Sequence, residues 1–146
     1  MDIKEETYYE VIRKKTATLI AACTKCGAIS AGASEETVQA MYEYGLNLGI
    51  AFQIKDDIFD YQKSSLLGKP TGNDIKERKL TLPLLYALRT APKDKSKAMM
   101  KMIRSKYKES KTAKEATEFV HQYGGIEYSV RKMQEYGNMA VEALHR

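Results

Sequence analysis

Three carboxylates, Asp56, Asp57 and Asp60, sit close together in the run GLNLGIAFQIKDDIFDY that begins at Gly45. The run is apolar around most of a helical circumference, as in a helix buried on several sides, so its polar residues carry information. At about 100° per residue, Asp56 and Asp60 lie one turn apart, and Gln53 and Asp57 fall in the same sector. Carboxylates that converge in a partly buried place repel one another and lose hydration, so they need protons, basic groups or a metal. Hard oxygen ligands favour Mg²⁺, which keeps several waters and commonly takes one or two carboxylates together with phosphate oxygens. The stripe therefore reads as a metal bridge between protein and a phosphorylated ligand. A solvated acidic face is the plainer alternative. Gly45 and Gly49 weigh against it, because glycine costs about 1 kcal/mol in a helix interior and usually admits close packing.

Two places supply the positive charge a diphosphate would need. Lys15 and Thr16 stand side by side in an otherwise apolar stretch, EVIRKKTATLIAA, and Lys69 and Lys79 flank Asp74 in the segment GKPTGNDIKERKLTLP. The glycines of that segment would let a loop close over a ligand. Single lysines are weak signals, since most decorate surfaces. Their coexistence with the aspartates gives them weight.

The elements that must hold these residues are helices. Apolar positions recur at helical spacing, and the alternation of half-buried strands is absent, so the fold is expected to be all-α, with about six helices. A first helix is expected over 5–28, stopped by the GAISAGAS stretch. Ser34, followed by Glu35 and Glu36, reads as an N-cap with an acidic first turn, opening a long helix to about residue 62. Gly68, Pro70, Gly72 and Asn73 mark 64–74 as a loop. A further helix is expected over 81–89, with Pro83 in its first turn. One or two amphipathic helices should cover the lysine-rich 93–114 stretch, and a last one 126–144, after the Gly124-Gly125 break. The 146 residues contain no internal repeat and suit one helical domain, 1–146.

The chain has a formal charge of +5, much of it between Lys93 and Lys114. A solvated outer face is the expected reading there. Nucleic-acid binding is not expected, since that stretch offers only Tyr107 for stacking. No membrane span is visible and the start is too polar for a signal peptide, so a cytoplasmic protein is expected. Cys23 and Cys26 cannot complete a four-ligand zinc site alone, and the two histidines, His121 and His145, lie far away in sequence. Free, packed thiols are the expected state.

With these motifs in hand, the chain resembles the C-terminal half of the trans-isoprenyl diphosphate synthases, or polyprenyl synthetases, of the long-chain octaprenyl and farnesyl type. Phe52-Gln53 followed by Asp56-Asp57-Ile58-Phe59-Asp60 is similar to the second aspartate-rich motif, Lys15-Thr16 to the lysine-threonine pair, and GKPTGNDIKERKLTLP to the lysine loop. The resemblance implies the C-terminal half of the isoprenoid synthase fold and a head-to-tail condensation of an allylic diphosphate with isopentenyl diphosphate. It implies Mg²⁺ held by Asp56 and Asp60, with Asp57 as a ligand or supporting group. It also implies that Lys15 and Lys69 act on the departing diphosphate, with Thr16, Gln53 and Lys79 assisting. A homodimer is the implied assembly of the full-length protein.

Two departures qualify the resemblance. Arg78 stands where relatives often carry glycine. The six aspartates are Asp2, Asp56, Asp57, Asp60, Asp74 and Asp94, so there is no second D-D-x-x-D, and no Arg-Arg pair follows one. The chain is therefore expected to be a fragment that cannot transfer prenyl groups alone. A terpene cyclase is the rival enzyme, disfavoured by the intact D-D-I-F-D. A non-catalytic regulatory subunit or basic interaction module is the rival outside enzymology.

Overall fold

A computed structural model describes residues 4–62 and 72–145, and among them every regular element is helical. The helices are α1 (Glu5–Ile12), a π-helical turn (Arg13–Ala17), α2 (Thr18–Ser30), α3 (Glu35–Phe59), α4 (Asn73–Lys76), α5 (Leu82–Thr90), α6 (Lys93–Lys106), α7 (Ser110–Gln122) and α8 (Gly125–Leu144). The expected all-α fold is observed. Taking α1, the π turn and α2 as one run, the described residues hold six long segments, and α4 is a short extra. The chain forms two compact units: Met1–Glu5 with Asp56–Val130, and Glu6–Lys55 with Arg131–Arg146.

In the second unit, small residues set how closely α2 and α3 approach. A Cβ on Gly49 would lie 2.6 Å from the Cα of Ala17, and one on Gly45 would lie 2.8 Å from the Cα of Ala21 and run into the Thr24 hydroxyl. Both glycines thus do what their place in an apolar helix suggested, and larger side chains would force the helices apart. Thr24 Oγ1 ties the pair across the contact by donating to the Met41 carbonyl at 2.6 Å.

The ends of these helices follow from local chemistry. α2 stops two residues later than expected, where Gly32 takes φ +69° and the Ala33 amide reaches back to the Ala28 carbonyl at 3.1 Å. Ser34 caps α3 as expected, its Oγ accepting the Thr37 amide at 3.3 Å.

The expected single helix over 5–28 contains one surprise. At Thr18 both the amide and the hydroxyl, the latter at 2.8 Å, donate to the Arg13 carbonyl five residues back, which is the bond pattern of a π turn.

The first unit is built around a continuous apolar core. It includes Tyr61, Ile75, Leu84 and Ala87, with Met99 and Ile103 from α6 and Ala116, Phe119 and Val120 from α7. The Met99/Ile103 spacing of one turn is the apolar stripe expected of an amphipathic helix, and it leaves the lysines of α6 outward. Pro83 occupies the first turn of α5, where its missing N–H costs nothing. Gly125 begins α8 against the Pro83 carbonyl, at a distance that admits no side chain.

Candidate active site: a carboxylate cluster and a lysine-threonine turn

In the first unit the aspartates occupy the last turn of α3 and its exit. Asp56 is exposed, Asp57 is 6% exposed and Asp60 is half-buried. α3 ends at Phe59, three residues short of the expected end, because Tyr61 leaves the helix for the core. There its hydroxyl meets Thr81 Oγ1 at 3.3 Å, and its carbonyl accepts from His121 Nε2 at 2.9 Å. Burial pushes the phenol pKa far up, so the ring stays neutral. With Tyr61 fixed, the chain direction at Asp60 is fixed as well.

Asp60 organises the segment that follows. Its carbonyl accepts the Gly72 amide at 3.0 Å, Oδ1 accepts the Asn73 amide at 3.0 Å, and Oδ2 accepts the Asp74 amide at 2.9 Å. The carboxylate thus satisfies the first amides of α4, which would otherwise lack partners. Gly72 takes φ +79°, and a Cβ there would lie 2.8 Å from the Cβ of Ala113, so glycine is required on two counts.

This clamp brings a fourth carboxylate to the cluster. The carboxyl pKa of Asp74 is pushed up to about 7, first by burial, then by the negative charges of Asp60 and Asp57. Lys79 partly offsets this and Asp56 adds to it. Lys79 is exposed and held by an ion pair with Glu77, which raises its pKa first through the hydrogen bond. Its amide donates to the Asp74 carbonyl at 2.8 Å.

Among the described residues, no three carboxylates, histidines or cysteines stand close enough to enclose an ion as placed. The donor set nonetheless fits a hard cation. It is all carboxylate oxygen, and burial together with the neighbouring carboxylates raises the Asp74 pKa to about 7. Such a set suits an ion that takes most of its ligands from water and phosphate.

In the second unit Lys15 and Thr16 sit in the π turn, a deformation that recurs at functional sites. Lys15 is exposed and has no ion-pair partner among the described residues. Thr16 Oγ1 donates to Gln53 Oε1 at 3.0 Å, and Gln53 is 8% exposed. Thr16 and Gln53, chosen separately from sequence, are therefore brought together, as are Asp60 and the loop that carries Asp74 and Lys79. Lys69 lies outside the described residues.

Sequence reasoning passed over Asp74 and His121. In sequence Asp74 stands only as the residue between Lys69 and Lys79, although its place fourteen residues after Asp60 in a polar segment is a signal for it. His121 carried no sequence signal, because its bond is to a backbone carbonyl.

The family model described as Polyprenyl synthetase matches residues 1–120. A short chain isoprenyl diphosphate synthase of Methanothermobacter thermautotrophicus is 41% identical over 145 residues, 99% of this chain and 44% of that protein. Solanesyl-diphosphate synthase 2 of Oryza sativa is 38% identical, with 98% of this chain matching 34% of its length. Among solved structures, a polyprenyl synthase from Caulobacter crescentus, complexed with calcium and isoprenyl diphosphate, superposes with TM-score 0.91 at 34% identity. The match covers 99% of this chain and 44% of that one. A geranylgeranyl pyrophosphate synthase from Bacteroides thetaiotaomicron gives TM-score 0.86 at 41% identity over 99% and 46%. The chain spans less than half the length of these relatives. Matched over most of its length in both sequence and structure, it belongs to the polyprenyl synthetase family.

Proposed function

We propose that this chain supplies one side of a metal-diphosphate site in a prenyltransferase that condenses an allylic diphosphate with isopentenyl diphosphate. The observation that carries the reading is the clamp at the end of α3, in which Asp60 fixes the α4 segment and gathers Asp74 beside Asp57. Family membership supports it, as does the Caulobacter relative complexed with calcium and isoprenyl diphosphate.

Within this reading, Asp56, Asp57 and Asp60 hold Mg²⁺, which when bound would neutralise the diphosphate and stabilise the charge it gains on leaving. The residues of the chain do the rest. Lys15, without an ion-pair partner among the described residues, offers its ammonium to phosphate oxygens, and the Thr16–Gln53 hydrogen bond fixes the turn that presents it. Lys79 adds positive charge near Asp74, the resemblance gives Lys69 the same role, and the half-buried setting of Asp60 and Asp74 strengthens the charge interactions there.

In the family reading the enzyme is a cytoplasmic homodimer, and no described helix is long and apolar enough to cross a membrane. Val11, Leu19, Leu48, Phe52 and Met139, all in the second unit, are large apolar side chains left exposed, which suits burial against further protein.

Asp56 gives the cleanest test, because it is exposed and, among the described residues, holds no hydrogen bond or ion pair that an amide would break. Calorimetric titration with inorganic pyrophosphate is expected to show binding that needs Mg²⁺ and weakens about tenfold or more in Asp56→Asn. Equal affinity with Mg²⁺ and with chelator would remove the metal-bridge reading.

A further inference from the structure

We infer that the outer face of α6 is a docking surface for an anionic lipid bilayer. Residues 93 to 114 carry nine lysines and arginines against two carboxylates, Asp94 and Glu109, an excess of +7 in a chain whose total is +5. Within this stretch, Lys93, Lys97, Lys101 and Arg104 follow one another at spacings of four, four and three residues, so they fall on one side of the helix. All four are exposed, and Met99 and Ile103 on another face are anchored in the core of the first unit. The result is a straight row of positive charge about 16 Å long on a fixed helix.

The row is costly to the fold. Like charges one turn apart destabilise a helix. None of the four has an ion-pair partner among the described residues, whereas Lys111 nearby pairs with Glu115 at 3.7 Å. A local rule broken without internal compensation points to an external partner that supplies the missing negative charge.

The form of the row selects that partner. A convex helix face with its charges in line meets a flat anionic surface along its whole length, and such a surface attracts each basic residue independently. Single-stranded nucleic acid would need stacking rings, but the one aromatic of the stretch, Tyr107, is covered by the Arg78 guanidinium at 3.8 Å, with the Lys108 ammonium at 5.7 Å. If the proposed prenyl transfer is also correct, a membrane is where an amphiphilic prenyl diphosphate resides. The charge argument stands without that reading.

Co-sedimentation with vesicles tests the surface without any prenyl substrate, so its result is independent of the diphosphate site. The chain is expected to pellet with phosphatidylcholine vesicles containing about a third phosphatidylglycerol, to ignore pure phosphatidylcholine, and to be released at about 0.5 M salt. Each basic residue at such a surface is worth about fivefold in partitioning, so Lys97→Gln/Lys101→Gln should weaken binding about 30-fold. Lys4→Gln/Lys25→Gln, equally exposed but outside the row, should change it less than about twofold, with unchanged circular dichroism in both variants. Absent vesicle binding, equal losses in the two variants, or binding to an oligonucleotide in place of vesicles would overturn the inference.

Discussion

Alanine substituted at Gly49 and at Gly137 should change stability in opposite directions, although both glycines lie inside helices of the same unit. At either site alanine gains about 1 kcal/mol of intrinsic helix preference. At Gly137 nothing stands within 4 Å of the new Cβ, so most of that gain should survive. At Gly49 the Cβ would lie 2.6 Å from the Cα and 3.0 Å from the Cβ of Ala17. Carbon atoms pack at about 3.5–4.0 Å, so α3 and the π turn must separate by about 1 Å. The atoms in the way belong to backbone or to a side chain with no freedom to rotate aside, and overpacking of this kind costs about 1–3 kcal/mol. The same separation stretches the Thr16–Gln53 bond, worth about 1 kcal/mol when intact.

The net expectation is a gain of about 0.5–1 kcal/mol for Gly137→Ala and a loss of about 1–2 kcal/mol for Gly49→Ala. Urea unfolding followed by circular dichroism resolves such differences as shifts of the midpoint. Ala17→Gly in the Gly49→Ala background should recover part of the loss, because it removes one of the two colliding carbons. Equal stabilisation by both alanines would refute the close approach of α3 to the π turn.

The raised pKa of Asp74 sets a second expectation, read in chelator. Below about pH 4 the folded and unfolded states both hold the proton. From there to about pH 7 the unfolded chain releases it first, so folding stability falls as pH rises. Because Asp74 is partly in contact with solvent, the fall is discounted to about 1–2 kcal/mol. Asp74→Asn should remove that fall, and a variant profile parallel to the parent's would refute the assignment. The third expectation concerns Arg78, which adopts φ +57° and stacks on Tyr107. Arg78→Gly should be nearly neutral, as relief of about 1 kcal/mol of backbone strain offsets the lost stack, whereas Tyr107→Leu should cost about 0.5–1 kcal/mol. A double-mutant cycle with no coupling between the two would refute the stack.

What was legible in the sequence is what leaves a periodic or compositional trace. The Ser34 cap and the apolar stripe of α6 each rest on a few adjacent residues and were found in place, while the end of α2 falls within the GAISAGAS stretch but two residues past its expected position. Gly45 and Gly49 announced close packing because glycine has no other reason to sit in a buried helix. The π turn escaped, since a shift of helical phase leaves no trace where the neighbours are apolar all round, and the Thr18 hydroxyl bond that accompanies it carries no sequence pattern. α4 escaped because Gly68, Pro70, Gly72 and Asn73 dominate the segment, while the partner of its first amides, Asp60, comes from another element. The role of Asp74 depends on burial and on charges brought in by folding, so no local pattern encodes it.

Asp60 joins these strands of argument, because it serves two demands at once. Each of its oxygens accepts one amide from the start of α4 and keeps a lone pair free for a cation. A metal bound there would draw on a carboxylate whose position already depends on the α4 segment, so the ion and the fold of 72–79 must stabilise each other. Burial is the first cause of the raised Asp74 pKa and the charge of Asp60 the next, so positive charge at Asp60 would lower it part of the way. The segment that carries Lys79 is thus fastened to the place where a diphosphate would bring its negative charge, through Asp60 and the Asp74 backbone. Replacing Asp60 would therefore remove a helix cap together with a proposed metal ligand. That is why Asp56, which holds no amide among the described residues, separates binding from folding more cleanly.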